Sequence, residues 1–184
     1  MAFCLAKPAS GGKGRSMPEI GVAAALSLLL AFFSFSPLPS GGQISVDMLP
    51  ILLLALLRGW LPALTAGLIY GSLHILQEPI TLHPIQVLLD YPLAYGALGM
   101  AGLPILARWP HAGVAAGLLA RFCCHVISGV LFIGLFLPAS QIGSVSPWKW
   151  SLTYNAGFML LPALFMLLLV PPIKRALEAC GYAQ

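Results

Sequence analysis

Charge is what this sequence has least of. Only 8% of its 184 residues are Asp, Glu, Lys or Arg, while 59% are apolar and the mean hydropathy is +0.94. A water-soluble domain carries about 25% charged residues. So few charges cannot cover a globular surface with polar groups, which excludes a soluble enzyme, a nucleic-acid module and a disordered chain. Motifs are missing too. There is no CxxC, no zinc-finger Cys/His spacing, no P-loop GxxxxGK[ST], no GxSxG and no HExxH. No catalytic residue and no metal ligand is indicated. Cys4, Cys123, Cys124 and Cys180 read as buried small apolar residues. No internal repeat relates the two halves, so an inverted-repeat carrier gains no support.

What is present is a succession of apolar runs. They lie at 18–36, 48–57, 60–76, 85–107, 112–137 and 150–170. The expected fold is an all-α membrane protein, one bundle of six transmembrane helices spanning 17–173, with polar tails at 1–16 and 174–184. The run 48–57 is only about 15 Å long as a helix, half a bilayer. Pro92 and Pro104 interrupt the fourth run, and Pro171-Pro172 is expected to stop the last. The first run has the basic flank and apolar core of a signal peptide, yet no clear cleavage site closes it, and it reads as a retained helix.

The cations give the orientation. With six segments, Lys7, Lys13, Arg15, Arg58, Arg108, Lys174 and Arg175 fall on one side and only Lys149 on the other. Positive charge collects on the cytoplasmic side, so both termini are expected there, with loops 37–47, 77–84 and 138–149 facing outward. The same rule explains the net charge of +4 without nucleic acid.

An ionisable group at bilayer depth needs a partner or a purpose. Asp90, Arg121 and His125 are such groups. Arg121 and His125 share a helical face at i, i+4. One reading is an Asp90–Arg121 ion pair that fixes helix register in a structural protein. Another is a pocket for a cationic heteroaromatic ligand: Asp90 neutralises the charge, His125 and Asn155 bond ring nitrogens, and Tyr91, Trp150 or Tyr154 stack the rings. A third is an intramembrane hydrolase using Ser128 and His125, disfavoured because both lie on one helix. Gly21 and Ala25, with Ala24 beside them, form a small-xxx-small pattern that permits close helix contact.

The stretches EIGVAAAL (19–26), ISVDMLPILLLALLRG (44–59), TAGLIYG (65–71), HPIQVLLDYPLAYG (83–96), RFCCHVISGVLF (121–132) and SLTYNAG (151–157) together resemble the thiamine-specific substrate-binding subunits of energy-coupling factor vitamin transporters. That resemblance covers nearly the whole chain after residue 17. It implies a multi-pass protein of a prokaryotic cell membrane that binds thiamine near the outward face. The implied ligand contacts are Asp90, Tyr91, Arg121, His125, Trp150 and Asn155, with Ser45 and Asp47 as candidates from the first loop, and the residue reading adds Tyr154 as a stacking ring. It implies docking of a transmembrane coupling subunit on Gly21 and Ala25, beside which Ala24 is a further candidate, ATP hydrolysis by two separate ATPase subunits, and no cofactor on this chain. The sequence departs from the pattern at Asp90, where some members have Glu. It departs also at Arg121 (Lys), Trp150 (Tyr) and Ile133, where some stack the ligand on Trp. Specificity for another vitamin or for a thiamine precursor is the alternative.

Overall fold

The computed structural model describes residues 16–34, 45–77, 83–137, 139–141 and 143–182. Lys7, Lys13, Arg15 and Cys4, the N-terminal tail and most of loops 37–47 and 77–84 lie outside them. No strand occurs among the described residues.

The first apolar run forms α1 (Ser16–Ala31). The next two form α2 (Leu49–Arg58) and α3 (Trp60–His74), joined by Gly59 alone. Gly59 has φ +91°, in the left-handed region that favours glycine, and there the chain reverses. The reversal brings Tyr70, ten residues into α3, to Asp47 at the head of α2. α1 packs against both: Glu19 meets Arg58 at the end of α2, and Gln77 Nε2, just past α3, donates to the Leu28 carbonyl at 3.3 Å.

The fourth run is broken, as its prolines predict. α4 (Pro84–Leu88) passes into a π turn at Leu89–Leu93, then α5 (Ala94–Ala97), then 3-10 turns at Leu98–Gly102 and Pro104–Leu106. Pro92 has no N–H and its ring crowds the carbonyl four residues back; the wider π turn accommodates both faults. The π turn carries Asp90 and Tyr91. α6 (Pro110–Leu131) is about 33 Å long and turns at Phe132 into the short α7 (Ile133–Phe136). α8 (Pro147–Leu177) follows, about 46 Å long. Pro84, Pro110 and Pro147 each sit in a first turn, where the missing N–H costs nothing. α6 and α8 are each long and apolar enough to cross a membrane.

Three expectations need correction. Pro171-Pro172 does not end the last helix. α8 continues through both prolines, and through Pro162, to Leu177, with a further turn at Glu178–Tyr182. Pro171 is fully buried, so packing against neighbouring elements holds the backbone helical where proline removes its own bonds. Cys123 is exposed rather than buried, because α6 turns that face away from the bundle. The Asp90–Arg121 pair is not formed; each finds other partners, described below.

Packing is inverted relative to a soluble protein. The core is rich in small residues: Ala23, Ala24, Ala55, Ala63, Ala66 and Ala101. Large apolar side chains face outward, with Phe33 at 80%, Ile105 at 79% and Leu168 at 71% exposure. Small residues let helix backbones approach, and an apolar exterior suits lipid. A Cβ at Gly71 would lie 2.6 Å from the Tyr91 carbonyl oxygen, and one at Gly67 would strike that of Tyr95. Glycine is what allows α3 to lie against the segment that carries Asp90, Tyr91 and Tyr95.

Charge divides between the two ends of the bundle. At one end, Arg58 grips Glu19 through Nε and Nη2 at 2.7 and 2.8 Å, and its Nη1 donates to the Tyr182 carbonyl at 3.3 Å. Lys174 pairs with Glu178 at 2.5 Å nearby. At the other end lie Ser45, Asp47, Gln86, Asp90, His125, Ser128 and Asn155.

Candidate functional site

Two polar clusters meet at that second end. The first is built on Asp90. Its Oδ2 accepts from Gln86 Nε2 at 2.6 Å and from Ser128 Oγ at 2.8 Å, and its Oδ1 lies 3.1 Å from His125 Nδ1. An ionised carboxylate only accepts, so the imidazole proton sits on Nδ1 and Nε2 is left as an acceptor. Among the described residues, the buried His125 Nε2 has no hydrogen-bond partner, and neither has the buried Oε1 of Gln86. Ser128 thus holds α6 to the π turn by donating to Asp90. It does not pair with His125, and the hydrolytic dyad is not assembled.

The second cluster is built on Asp47, which is fully buried. Tyr70 and Tyr95 both donate their hydroxyls to its Oδ2 at 2.5 Å, and Ser45 donates to Oδ1. Arg121 lies across Tyr95, its guanidinium carbon 3.8 Å from the ring centroid. Arg121 and Asp47 thus meet at one residue, the guanidinium on the Tyr95 ring and the carboxylate on its hydroxyl. Arg121 Nε and Nη1 are buried without hydrogen-bond partners among the described residues. His74 extends this cluster: its Nδ1 lies 3.0 Å from Gln77 Oε1, and its ring packs against Tyr70, Tyr91 and Tyr95. Through that contact Tyr91 joins the two clusters.

An aromatic series borders the Asp90 cluster. Phe136 stacks on Trp150 at 6.0 Å between centroids, and Trp150 on Tyr154 at 5.1 Å with planes 5° apart. Tyr154 then meets Phe158, which meets His125 edge-on. Trp150 and Tyr154 lie too close to admit a third ring between them, so a flat ligand would stack on an outer face of the pair. Phe136 brings an aromatic ring one helical turn beyond Ile133. The Asn155 amide nitrogen donates to the Ser151 carbonyl at 2.8 Å and to the His125 carbonyl at 3.4 Å, and Ser151 Oγ donates to the Val126 carbonyl at 2.9 Å. The bonds to the His125 and Val126 carbonyls join α8 to α6.

The structure thus gathers Asp90, Tyr91, His125, Arg121, Asn155, Ser45 and Asp47 at one end of the bundle, with Trp150 and Tyr154 beside them. Sequence reasoning missed Tyr70, His74, Gln86 and Tyr95. Their signal was helical spacing within apolar runs: Tyr70 with His74, Gln86 with Asp90 and Tyr91 with Tyr95 are each four apart. Elsewhere, Gly21 and Ala25 lie on the outer face of α1, whereas Ala24 is 2% exposed and packs inward. No cluster of three or more metal-ligating side chains occurs among the described residues.

Comparison with known proteins places this geometry. Residues 17–180 match the family model described as thiamine transporter protein (Thia_YuaJ). Thiamine transporter ThiT of Bacillus subtilis is 34% identical over 158 aligned residues, covering 77% of this chain and 80% of the relative. ThiT of Lacticaseibacillus paracasei is 27% identical over 170, covering 83% of each. The solved structure of ThiT from Listeria monocytogenes superposes with a TM-score of 0.71 at 24% identity, over 88% of this chain and 96% of that one, which shows a common fold. A matching model over nearly the whole length and a relative above 30% identity agree: the chain is a membrane protein of the thiamine transporter protein family, whose members are transporters and not enzymes.

Proposed function

We propose that this protein is the thiamine-capturing membrane subunit of an energy-coupling factor importer. It binds thiamine at the end of the bundle that holds Asp90 and His125. The observation that carries this reading is a set of buried, unpartnered polar atoms, His125 Nε2, Gln86 Oε1 and Arg121 Nε and Nη1, gathered beside a carboxylate and stacked rings. Orphaned groups cost about 1–3 kcal/mol each in a sealed interior and are retained where a ligand completes them. Asp90 balances the thiazolium charge, and His125 Nε2 accepts from the aminopyrimidine. An outer face of the Trp150–Tyr154 pair takes a ring, and Tyr91 packs nearby.

The chain crosses the cell membrane six times, with both termini cytoplasmic. The clustering of Arg58, Arg108, Lys174 and Arg175 at the end away from the pocket supports that orientation. Gly21 and Ala25 on the outer face of α1 receive the transmembrane coupling subunit, and two ATPase subunits supply the energy. The protein needs no cofactor of its own.

Titration of purified protein with thiamine, its phosphates and its pyrimidine half, read by tryptophan fluorescence, tests the reading. Tight saturable binding of thiamine supports it. Tight binding of the pyrimidine or of another vitamin, with none of thiamine, moves the protein to a sister specificity.

A further inference from the structure

Asp47 follows the first loop and is sealed inside the protein. Its Oδ2 is occupied by the hydroxyls of Tyr70 and Tyr95 and its Oδ1 by Ser45. Three donors and no exposed surface leave it no direction in which to reach a ligand. Three donated bonds also hold it as a carboxylate, and a buried carboxylate needs a countercharge. That countercharge is Arg121, whose guanidinium lies on the ring of the same Tyr95 that donates its hydroxyl to Asp47.

Among the described residues, the buried or partly buried charges at this end are then two carboxylates, Asp47 and Asp90, and one guanidinium, Arg121. Lys149 stands exposed at the start of α8. With His125 neutral, the interior carries one net negative charge, which matches a monocation. Without Asp47, Arg121 would cancel Asp90 across the pocket and the match would be lost.

We propose that Asp47 is a specificity-determining residue that acts at a distance: it neutralises Arg121, so that Asp90 attracts a monocationic ligand unopposed. This rests on the thiamine reading and deepens it. Tyr70 and Tyr95 are positioning residues in the same device, because they hold the carboxylate in place. Arg121 keeps its two free N–H groups for neutral acceptors on the ligand while contributing no net repulsion.

The test compares two ligands on the full-length protein: thiamine, and a neutral isostere in which carbon replaces the thiazolium nitrogen. The quantity read is the ratio of their dissociation constants. Asp47→Asn is expected to lower the preference for thiamine about tenfold or more, since burial keeps solvent from screening the lost charge. Asp47→Asn combined with Arg121→Gln restores the charge count and is expected to bring the ratio back to within about threefold of wild type. Should Asp47→Asn alone not fold, Arg121→Gln alone reads the same account, and its preference for thiamine should rise. Equal weakening of both ligands by Asp47→Asn would make Asp47 a mere anchor and overturn the proposal. So would a double variant no better than the single one, or an unchanged ratio in Arg121→Gln. Failure of the wild-type protein to bind thiamine overturns the functional reading itself and is seen before any variant is made.

Discussion

His125 Nδ1 and Asp90 Oδ1 lie 3.1 Å apart, joining α6 to the π turn. The bond fixes the imidazole tautomer and leaves Nε2 as a buried acceptor. Asp90 therefore has two tasks: it orients His125 and it supplies charge.

Asp90→Asn removes both at little cost to the bundle. The amide oxygen still accepts from Ser128 or Gln86, so the bundle should lose only about 1 kcal/mol. Thiamine affinity should fall about a hundredfold or more, because the negative charge is gone and the amide N–H2, facing His125 Nδ1, moves the imidazole proton to Nε2. Calorimetric titration and a thermal melt on the same preparation check both values. A collapse of the melt with affinity intact in the folded fraction would return Asp90 to a structural role.

Trp150 should report ligand binding. It stacks on Tyr154, whereas Trp148 is 58% exposed at the helix start. Trp150→Phe is expected to abolish most of the thiamine-dependent fluorescence change, and Trp148→Phe to preserve it.

Gly71→Ala tests the close approach of α3. Its methyl group would meet the Tyr91 carbonyl and the Pro92 backbone, which cannot swing aside as a side chain would. A loss of about 1–3 kcal/mol is expected from such overpacking, read as a lowered melting temperature. Thiamine binding should weaken with it, because Tyr91 and the π turn move together. Gly21→Ala, at a site with open space, should leave the melt unchanged.

The outer face of α1 should separate binding from uptake. Gly21→Trp with Ala25→Trp is expected to leave thiamine affinity within about twofold of wild type, since both positions are exposed and remote from the pocket. Uptake in cells supplied with the coupling and ATPase subunits should be abolished. Full uptake by the variant would remove α1 as the docking face.

Arg58 ties three chain segments, and Arg58→Met should show it. The bidentate pair with Glu19 is partly screened, its side chains being 16% and 34% exposed, so a loss of about 1 kcal/mol is expected. Exchange protection of the first turns of α1 should fall, while the pocket end is unaffected.

Hydropathy alone marked the membrane class, the apolar runs and the broken fourth run, because lipid demands continuous apolar length and proline disrupts a helix wherever it falls. It also singled out Asp90, Arg121 and His125, because a charge in an apolar run is conspicuous without knowledge of its neighbours. Partnership was not legible. Asp90 and Arg121 looked like each other's counterions, yet Asp90 bonds His125, Ser128 and Gln86, while Arg121 answers Asp47 across Tyr95. Pro171-Pro172 looked like a helix end, yet burial carries α8 past it. Which atoms are satisfied and which are left waiting depends on contacts between residues 23 to 48 positions apart, such as Tyr70 with Asp47 or Tyr95 with Asp47. Local composition says that a polar group is present in the membrane; only the packing of helices against one another decides what it faces.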